Sequence, residues 1–143
     1  MVAAEGASSL PPVPLAEGAW RIEGNVPFLM GARCTSCGAL AFPRPTVCNS
    51  CMSETFVIEP LPRRGRLYSW TTVHVGAPRM NKPMMIGYVD LENGMRVFSH
   101  LSASSGPLAI NQAVELSLAD VGVAEDGRPI QTFVFIPASG AGQ

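Results

Sequence analysis

Charge is scarce in this chain. Asp, Glu, Lys and Arg make up 15% of its 143 residues, against about 25% in an ordinary soluble domain. Lysine is almost missing, because nine of the ten cationic residues are arginine. A net charge of -1 argues against a protein built to neutralise nucleic-acid phosphate. With 47% of residues hydrophobic, the chain is no disordered polyelectrolyte. No run of about 18 apolar residues occurs, which removes a membrane-spanning helix. Met1 to Pro14 lacks a positive n-region and an apolar core, so no secretory leader is expected and the expected location is the cytoplasm. A short chain this poor in charge is expected to hide part of its surface against a partner.

The catalytic inventory is equally thin. No Gly-x-Ser-x-Gly elbow and no glycine-rich phosphate loop is present. His74 and His100 are the only histidines, and neither has an evident acidic or nucleophilic companion in the sequence. Each is read as a strand residue with a satisfied hydrogen bond, and a stand-alone enzyme using either is the weakest reading.

What the chain has in plenty is glycine and proline, 14 and 13 residues, together close to one position in five. That punctuation disfavours helical bundles and favours short strands joined by turns. Residues 1–19, containing the cluster Pro11, Pro12 and Pro14, read as a flexible arm, and residues 138–143 as a flexible tail. Between them, residues 20–62 hold every cysteine, and residues 63–137 read as successive strands. The strand runs are Arg66–Val75, Met84–Leu91, Met95–Leu101, Ala113–Leu118 and Ile130–Ile136, rich in β-branched and aromatic residues. Glu92-Asn93-Gly94 and Glu125-Asp126-Gly127-Arg128 supply turns. In Val114, Leu116 and Leu118 against Glu115 and Ser117 the period is two, the signature of a half-buried strand. Five short strands with one longer connection point to a small closed barrel, the OB-fold.

The cysteines carry the sharpest chemistry. Cys34-x-x-Cys37 and Cys48-x-x-Cys51 are two knuckles separated by ten residues. Each tight turn aims both sulfurs at one ion, and together they complete a tetrahedron. Zinc is favoured, while iron takes the same geometry. Two disulfides are disfavoured in a reducing compartment, and a redox pair needs only one Cys-x-x-Cys. A four-sulfur site is closed to substrate, so the metal is structural: it folds a segment too small for its own core. Gly38 follows the first knuckle, where positive φ is expected.

Arg63, Arg64 and Arg66 flank the entry to the first barrel strand, and Arg79 and Lys82 sit in the loop after it. Their chemistry suits a phosphate or partner contact as well as an ordinary solvated loop. Arg33 and Arg44 lie in the metal module, placed to buttress knuckle carbonyls. Pro78, Met80, Pro83, Met84 and Met85 form either a partner surface or one lip of the barrel core.

The ordered set Gly31-Ala-Arg-Cys34-Thr-Ser-Cys37-Gly38, Phe42-Pro43-Arg44, Cys48-Asn-Ser-Cys51, Gly65-Arg-Leu-Tyr-Ser-Trp-Thr-Thr-Val73 and Val89-Asp-Leu-Glu-Asn-Gly-Met-Arg96 resembles the acyl-CoA-associated zinc-ribbon/OB-fold proteins. The resemblance spans about Phe28 to Ile136. It implies a mainly β protein, with a rubredoxin-like four-cysteine zinc ribbon followed by a five-stranded OB-fold barrel. It also implies a non-catalytic accessory subunit of a thiolase-like complex that cleaves a β-oxo- or hydroxyacyl-CoA by thiolysis or retro-aldol chemistry. The implied partner is a thiolase-superfamily catalytic subunit, in a heterotetramer or larger assembly that shapes an acyl-CoA channel. By carry-over, Cys34, Cys37, Cys48 and Cys51 match the ligands of structural Zn2+, and coenzyme A thioester is the substrate of the complex. Assigning Arg63, Arg64, Arg66, Arg79 and Lys82 to CoA phosphate or to the partner is an expectation from their chemistry alone. The alternative function is a single-stranded nucleic-acid-binding ribbon/barrel module, which one lysine and 7% aromatic residues disfavour.

Overall fold

A computed structural model describes residues 11–103 and 106–138. Its elements are β1 (Val13–Pro14), β2 (Trp20–Glu23), β3 (Val26–Cys34), β4 (Leu40–Ala41), β5 (Phe56–Pro60), β6 (Arg64–Val73), β7 (Met84–Leu91), β8 (Arg96–Leu101), β9 (Ala113–Val123) and β10 (Pro129–Pro137). Among the described residues no helix is long and apolar enough to cross a membrane.

Strands β6 to β10 form the barrel. Their order is β10-β8-β7-β6-β9, and a further β10–β9 pairing closes the ring. The β8–β10 seam is parallel and short, with Val134 opposite His100 and Phe135 opposite Leu101. The other seams are antiparallel. Burial alternates as the period-two sequence demands: Val114 and Leu116 of β9 are buried, as are Val97, Ser99 and Leu101 of β8. Gly94 and Gly127, both at positive φ, close the two turns anticipated by their sequences.

Two strands differ from the sequence reading by more than one residue at an end. Strand β6 starts at Arg64 and ends at Val73, and β9 continues to Val123 rather than stopping at Leu118. Tertiary pairing extends β9. Beyond Leu118 it stays hydrogen-bonded to β10, and its far end receives the chain after β6, with Met80 bridging Gly122. Asn81 N–H donates to Val121 C=O at 2.7 Å, and Val123 N–H to Arg79 C=O at 3.0 Å. Such close backbone approach requires glycine, because a Cβ on Gly122 would collide with the Arg79 carbonyl.

The metal module is a sheet in which β3 pairs antiparallel with β2, β4 and β5. It does not stand apart from the barrel. Leu29 and Leu61 are buried in one core with Leu67, Val89, Leu116 and Phe135, and Trp20 and Phe42 pack edge-on against Phe133. Part of the segment read as a flexible arm is also fixed. Val13–Pro14 pairs parallel with Ile130–Gln131, Leu15 N–H donates to Gln131 C=O at 2.8 Å, and Ala19 is buried. The open edge of β10 satisfies this segment's backbone, a partner that proline spacing does not reveal. The rest of the arm (residues 1–10) and the tail from residue 139 lie outside the described residues.

Gly122→Ala is expected to cost about 1–3 kcal/mol, the usual penalty for forcing an atom into a filled site. Thermal unfolding measures the loss. Faster amide exchange at Asn81 and Val123 shows that the 79–83 segment has come away from β9.

Candidate functional site

The two knuckles are copies of one local design. In the first, Cys34 N–H donates to Ala39 C=O (2.8 Å) and Gly38 N–H to Cys34 C=O (2.9 Å). In the second, Cys48 N–H donates to Ser53 C=O and Met52 N–H to Cys48 C=O (both 2.8 Å). The turn must pass through left-handed backbone at its fifth residue, which is Gly38 at φ 82 and Met52 at φ 69. Gly38 meets the sequence expectation. The equivalent role of Met52 carries no glycine to signal it, and emerges only by aligning one knuckle on the other.

All four sulfurs lie within 4.8 Å of one another. Cys34 Sγ is 3.5 Å from Cys51 Sγ, and Cys37 Sγ is 3.6 Å from Cys48 Sγ. A tetrahedron with Zn–S bonds of ~2.3 Å has edges of about 3.8 Å, so the donor set fits a tetrahedral thiophilic metal. Cys34 and Cys48 are buried, while Cys37 and Cys51 face outward. Backbone N–H groups of Ser36 and Ser50 each lie 3.4 Å from the inner sulfurs.

These dipoles divide the thiols into two classes. Backbone N–H donation, chiefly from Cys37, lowers Cys34 to about 6, and donation from Cys51 and then Ser50 lowers Cys48. For Cys51 the Ser53 N–H favours the thiolate, but the Cys34 hydrogen bond, burial and the Cys37 and Cys48 sulfurs outweigh it and push the thiol up to about 12. Cys37 is raised likewise: Cys48, burial and Cys34 overcome the Ala39 N–H. Four negative sulfurs at this spacing need a cation, which makes metal binding and deprotonation one event.

Around the cluster, Thr35, Ser36, Ser53 and Thr55 join the knuckles through their hydroxyls, with Thr35 Oγ1 and Thr55 Oγ1 2.7 Å apart. Arg33 clasps Glu59 with two 2.9 Å hydrogen bonds and donates a third to Gly38 C=O, holding the Glu59 carboxyl below its usual range. Arg33 thus buttresses a knuckle carbonyl as its position suggested. Arg44 instead lies over the Phe56 ring at 5.6 Å.

The five barrel cations do not converge. Arg63 is turned inward, donating to Pro27 C=O (2.9 Å), Glu115 (2.8 Å) and Leu116 C=O (2.9 Å), so it ties the metal module to β9. Arg64 reaches the same Glu115 at 3.5 Å. Arg66 donates to Asn111 C=O at 2.9 Å. Arg64 and Arg66 line a groove of about 770 Å3 that also contains Asp90 and Glu92, a mixed-sign surface. At the other end of β6, Lys82 caps the carbonyls of Ala77 (2.7 Å) and Met80 (2.9 Å), and Arg79 pairs loosely with exposed Glu125 at 3.7 Å.

Two features went unseen in the sequence. The outer face of β6–β8 presents Tyr68, Tyr88 and Phe98, each about half exposed. Tyr88 meets Phe98 edge-on at 5.4 Å, and Arg96, held by Asp90 at 2.6 and 3.1 Å, lies 3.5 Å from the Tyr68 ring centroid. The period-two pattern places these residues outward, but their meeting depends on register between strands. The second feature is His100. Its Nε2 is buried with no hydrogen-bond partner among the described residues, contrary to the expectation of a satisfied histidine.

Comparison with known proteins agrees with this geometry. Residues 59–119 match the family model described as ChsH2, C-terminal OB-fold domain. The benzoylsuccinyl-CoA thiolase subunit BbsA of Thauera aromatica is 38% identical over 113 residues, covering 79% of this chain and 78% of that protein. The BbsA of Geobacter metallireducens is 35% identical over 113 residues, covering 79% and 77%. Among solved structures, the Ltp2-ChsH2(DUF35) aldolase superposes with a TM-score of 0.60 at 24% identity, over 77% of this chain and 84% of the other, which establishes a shared fold.

Met52→Gly is expected to leave stability unchanged or raise it by up to about 1 kcal/mol by relieving left-handed backbone, whereas Gly38→Ala lowers it by about 1 kcal/mol or more; denaturant unfolding of the metal-loaded chain measures both. Because Cys37 and Cys51 are held protonated, loading Zn2+ near neutral pH releases protons, those of Cys37 and Cys51 among them. Acid therefore weakens the site and alkali strengthens it. Calorimetry in buffers of different ionisation enthalpy counts the protons.

Proposed function

This chain belongs to the DUF35 family that includes the benzoylsuccinyl-CoA thiolase subunit BbsA, and from that membership we propose that it is the non-catalytic accessory subunit of a thiolase-like acyl-CoA enzyme complex. The observation that carries the reading is the use to which reactive groups are put. Its only four cysteines are gathered into one closed cluster, and His100 Nε2 contacts no hydrogen-bonding group among the described residues. In this reading the nucleophile and its acid/base partners belong to another chain.

In this reading the partner is a thiolase-superfamily catalytic subunit, joined in a heterotetramer or larger assembly. The complex acts on a coenzyme A thioester, by thiolysis or retro-aldol cleavage, and the name of the BbsA relatives supports the CoA chemistry. We infer zinc as the metal because four sulfurs at tetrahedral spacing suit a d10 dication, and a structural role because no ligand position is left for substrate. Four thiols held for a metal also support a reducing, cytoplasmic location. Of the proposed CoA-phosphate contacts, Arg79 is the cation most readily turned outward, since its partner Glu125 has an 88% exposed side chain. Arg63 serves the fold instead.

Co-expression with a thiolase-superfamily catalytic subunit is expected to yield a stable heteromer on size-exclusion chromatography, with cleavage activity that neither chain has alone. A catalytic subunit fully active by itself, with no association, overturns the reading. The alternative of a single-stranded nucleic-acid module draws on one observation, the Tyr68, Tyr88 and Phe98 face, which is the kind of platform on which bases stack. Arg96 on that face is already neutralised by Asp90, and a labelled oligonucleotide is expected to show no binding even at low salt.

A further inference from the structure

The sheet of the metal module ends on β5, which pairs with β3 alone, so its other edge meets no strand among the described residues. Two hydrogen bonds flanking the strand decide which groups face that edge. Leu61 N–H donates to Leu29 C=O at 2.8 Å, and Thr35 N–H to Thr55 C=O at 3.1 Å. Main-chain groups of an antiparallel strand turn to a given neighbour at every second residue. Residues 55, 57, 59 and 61 therefore face β3, and Phe56, Ile58 and Pro60 turn their main-chain groups outward. The open edge carries N–H and C=O from Phe56 and Ile58, and only C=O from Pro60, whose nitrogen has no hydrogen.

Natural edges are blunted by lysine, by inward charge or by a bulge. Strand β5 has none of these. Its register with β3 runs unbroken over five pairs, and its only charged residue, Glu59, is clasped by Arg33 through two 2.9 Å hydrogen bonds. Alternation puts Val57 and Glu59 on one face and Phe56, Ile58 and Pro60 on the other. Val57 is 55% exposed and Ile58 39%. Pro60 is the one blunting residue, and it acts as a selector: a strand added here must ask for no donor at that position.

We propose that this edge pairs with β5 of a second copy of the chain, antiparallel about a two-fold axis at Val57, so that the two ribbons form one continuous sheet. Phe56 of each copy then lies opposite Ile58 of the other, and the two pairs exchange four N–H to C=O hydrogen bonds. Every outward donor of both strands is used, and Pro60 with its missing N–H falls at the rim. Side chains match the same axis. Val57 meets its own copy with Cβ atoms about 5 Å apart, while Phe56 covers Ile58 on the opposite face, an aromatic and β-branched pair that stabilises sheets. A register moved by one residue places Phe56 opposite Pro60 and loses a donor from each of those pairs. The contact is self-complementary, as a two-fold interface requires. It is independent of the accessory-subunit reading.

The test is sedimentation velocity on the full, metal-loaded chain from micromolar to near-millimolar concentration, with amide exchange measured at both extremes. A reversible monomer–dimer equilibrium is expected, in which the Phe56 and Ile58 amides become protected as concentration rises. Val57 and Glu59 amides, bonded to β3, stay protected throughout. Val57→Glu sets two carboxylates opposite each other at the axis and weakens dimerisation about tenfold or more. Ile58→Pro removes only an outward N–H, which an edge strand tolerates, and leaves the chain monomeric. A monomer at every concentration, a dimer whose Phe56 and Ile58 amides still exchange freely, or variants that dimerise like the wild type each overturn the proposal. Protection of those amides only after a thiolase-superfamily subunit is added assigns the edge to that partner and overturns it as well. A heteromer built from a chain that is monomeric alone sinks this inference and spares the subunit assignment; a dimer that forms no heteromer does the reverse.

Discussion

A ribbon of four short strands has too little apolar surface to bury a core of its own, and the rest of this structure is arranged around that deficit. Two devices meet it. At one end, four sulfurs converge within 4.8 Å of one another, a cluster that could hold a metal. At the other, Leu29 and Leu61 enter the barrel core beside Leu67, Val89 and Phe135. Arg63 secures the joint with one carboxylate and two backbone carbonyls. The four-cysteine cluster gathers the distal tip while the shared core holds the base against the barrel.

The same economy governs charge. Glu59 is clasped by Arg33, Asp90 by Arg96, Glu115 by Arg63, and Asp126 by Arg128. Arginine suits these pairs because its planar fork meets a carboxylate at two points and leaves spare donors for carbonyls, a geometry lysine cannot supply. Low charge in this chain is therefore accompanied by internal pairing of much of what remains. The exposed face is left to aromatic and aliphatic groups: Tyr68, Tyr88 and Phe98 on the barrel, Met52, Val57 and Ile58 on the ribbon. Apolar surfaces of this kind are the expected material of a subunit that works in contact with another chain.

The two ends of the barrel differ for a topological reason. Near Arg64 the sheet is sealed by β6–β9 pairing, and the groove outside it mixes both signs of charge. At the far end, β6 and β9 have separated, the chain after β6 must fold back onto Gly122, and the β8–β10 seam is two pairs long. His100 lies in that seam, opposite Val134.

Local spacing was enough for everything that depends on neighbours in the chain. Two Cys-x-x-Cys knuckles pointed to one four-cysteine cluster, runs of β-branched and aromatic residues located the five barrel strands, and Gly94 and Gly127 marked the turns. Matters of long-range pairing stayed hidden. Nothing in the arm's prolines reveals that Val13–Pro14 lies along β10, and nothing in a run of arginines reveals that Arg63 is spent on Glu115, 52 residues away. The sequence by itself determined the pair of cysteine knuckles and the kind of strand at each position, because turns and pleats are set by adjacent residues. Only the tertiary structure decided which cations remain available, which histidine lost its partner and where the barrel opens, because those follow from register between strands that the chain brings together across long loops.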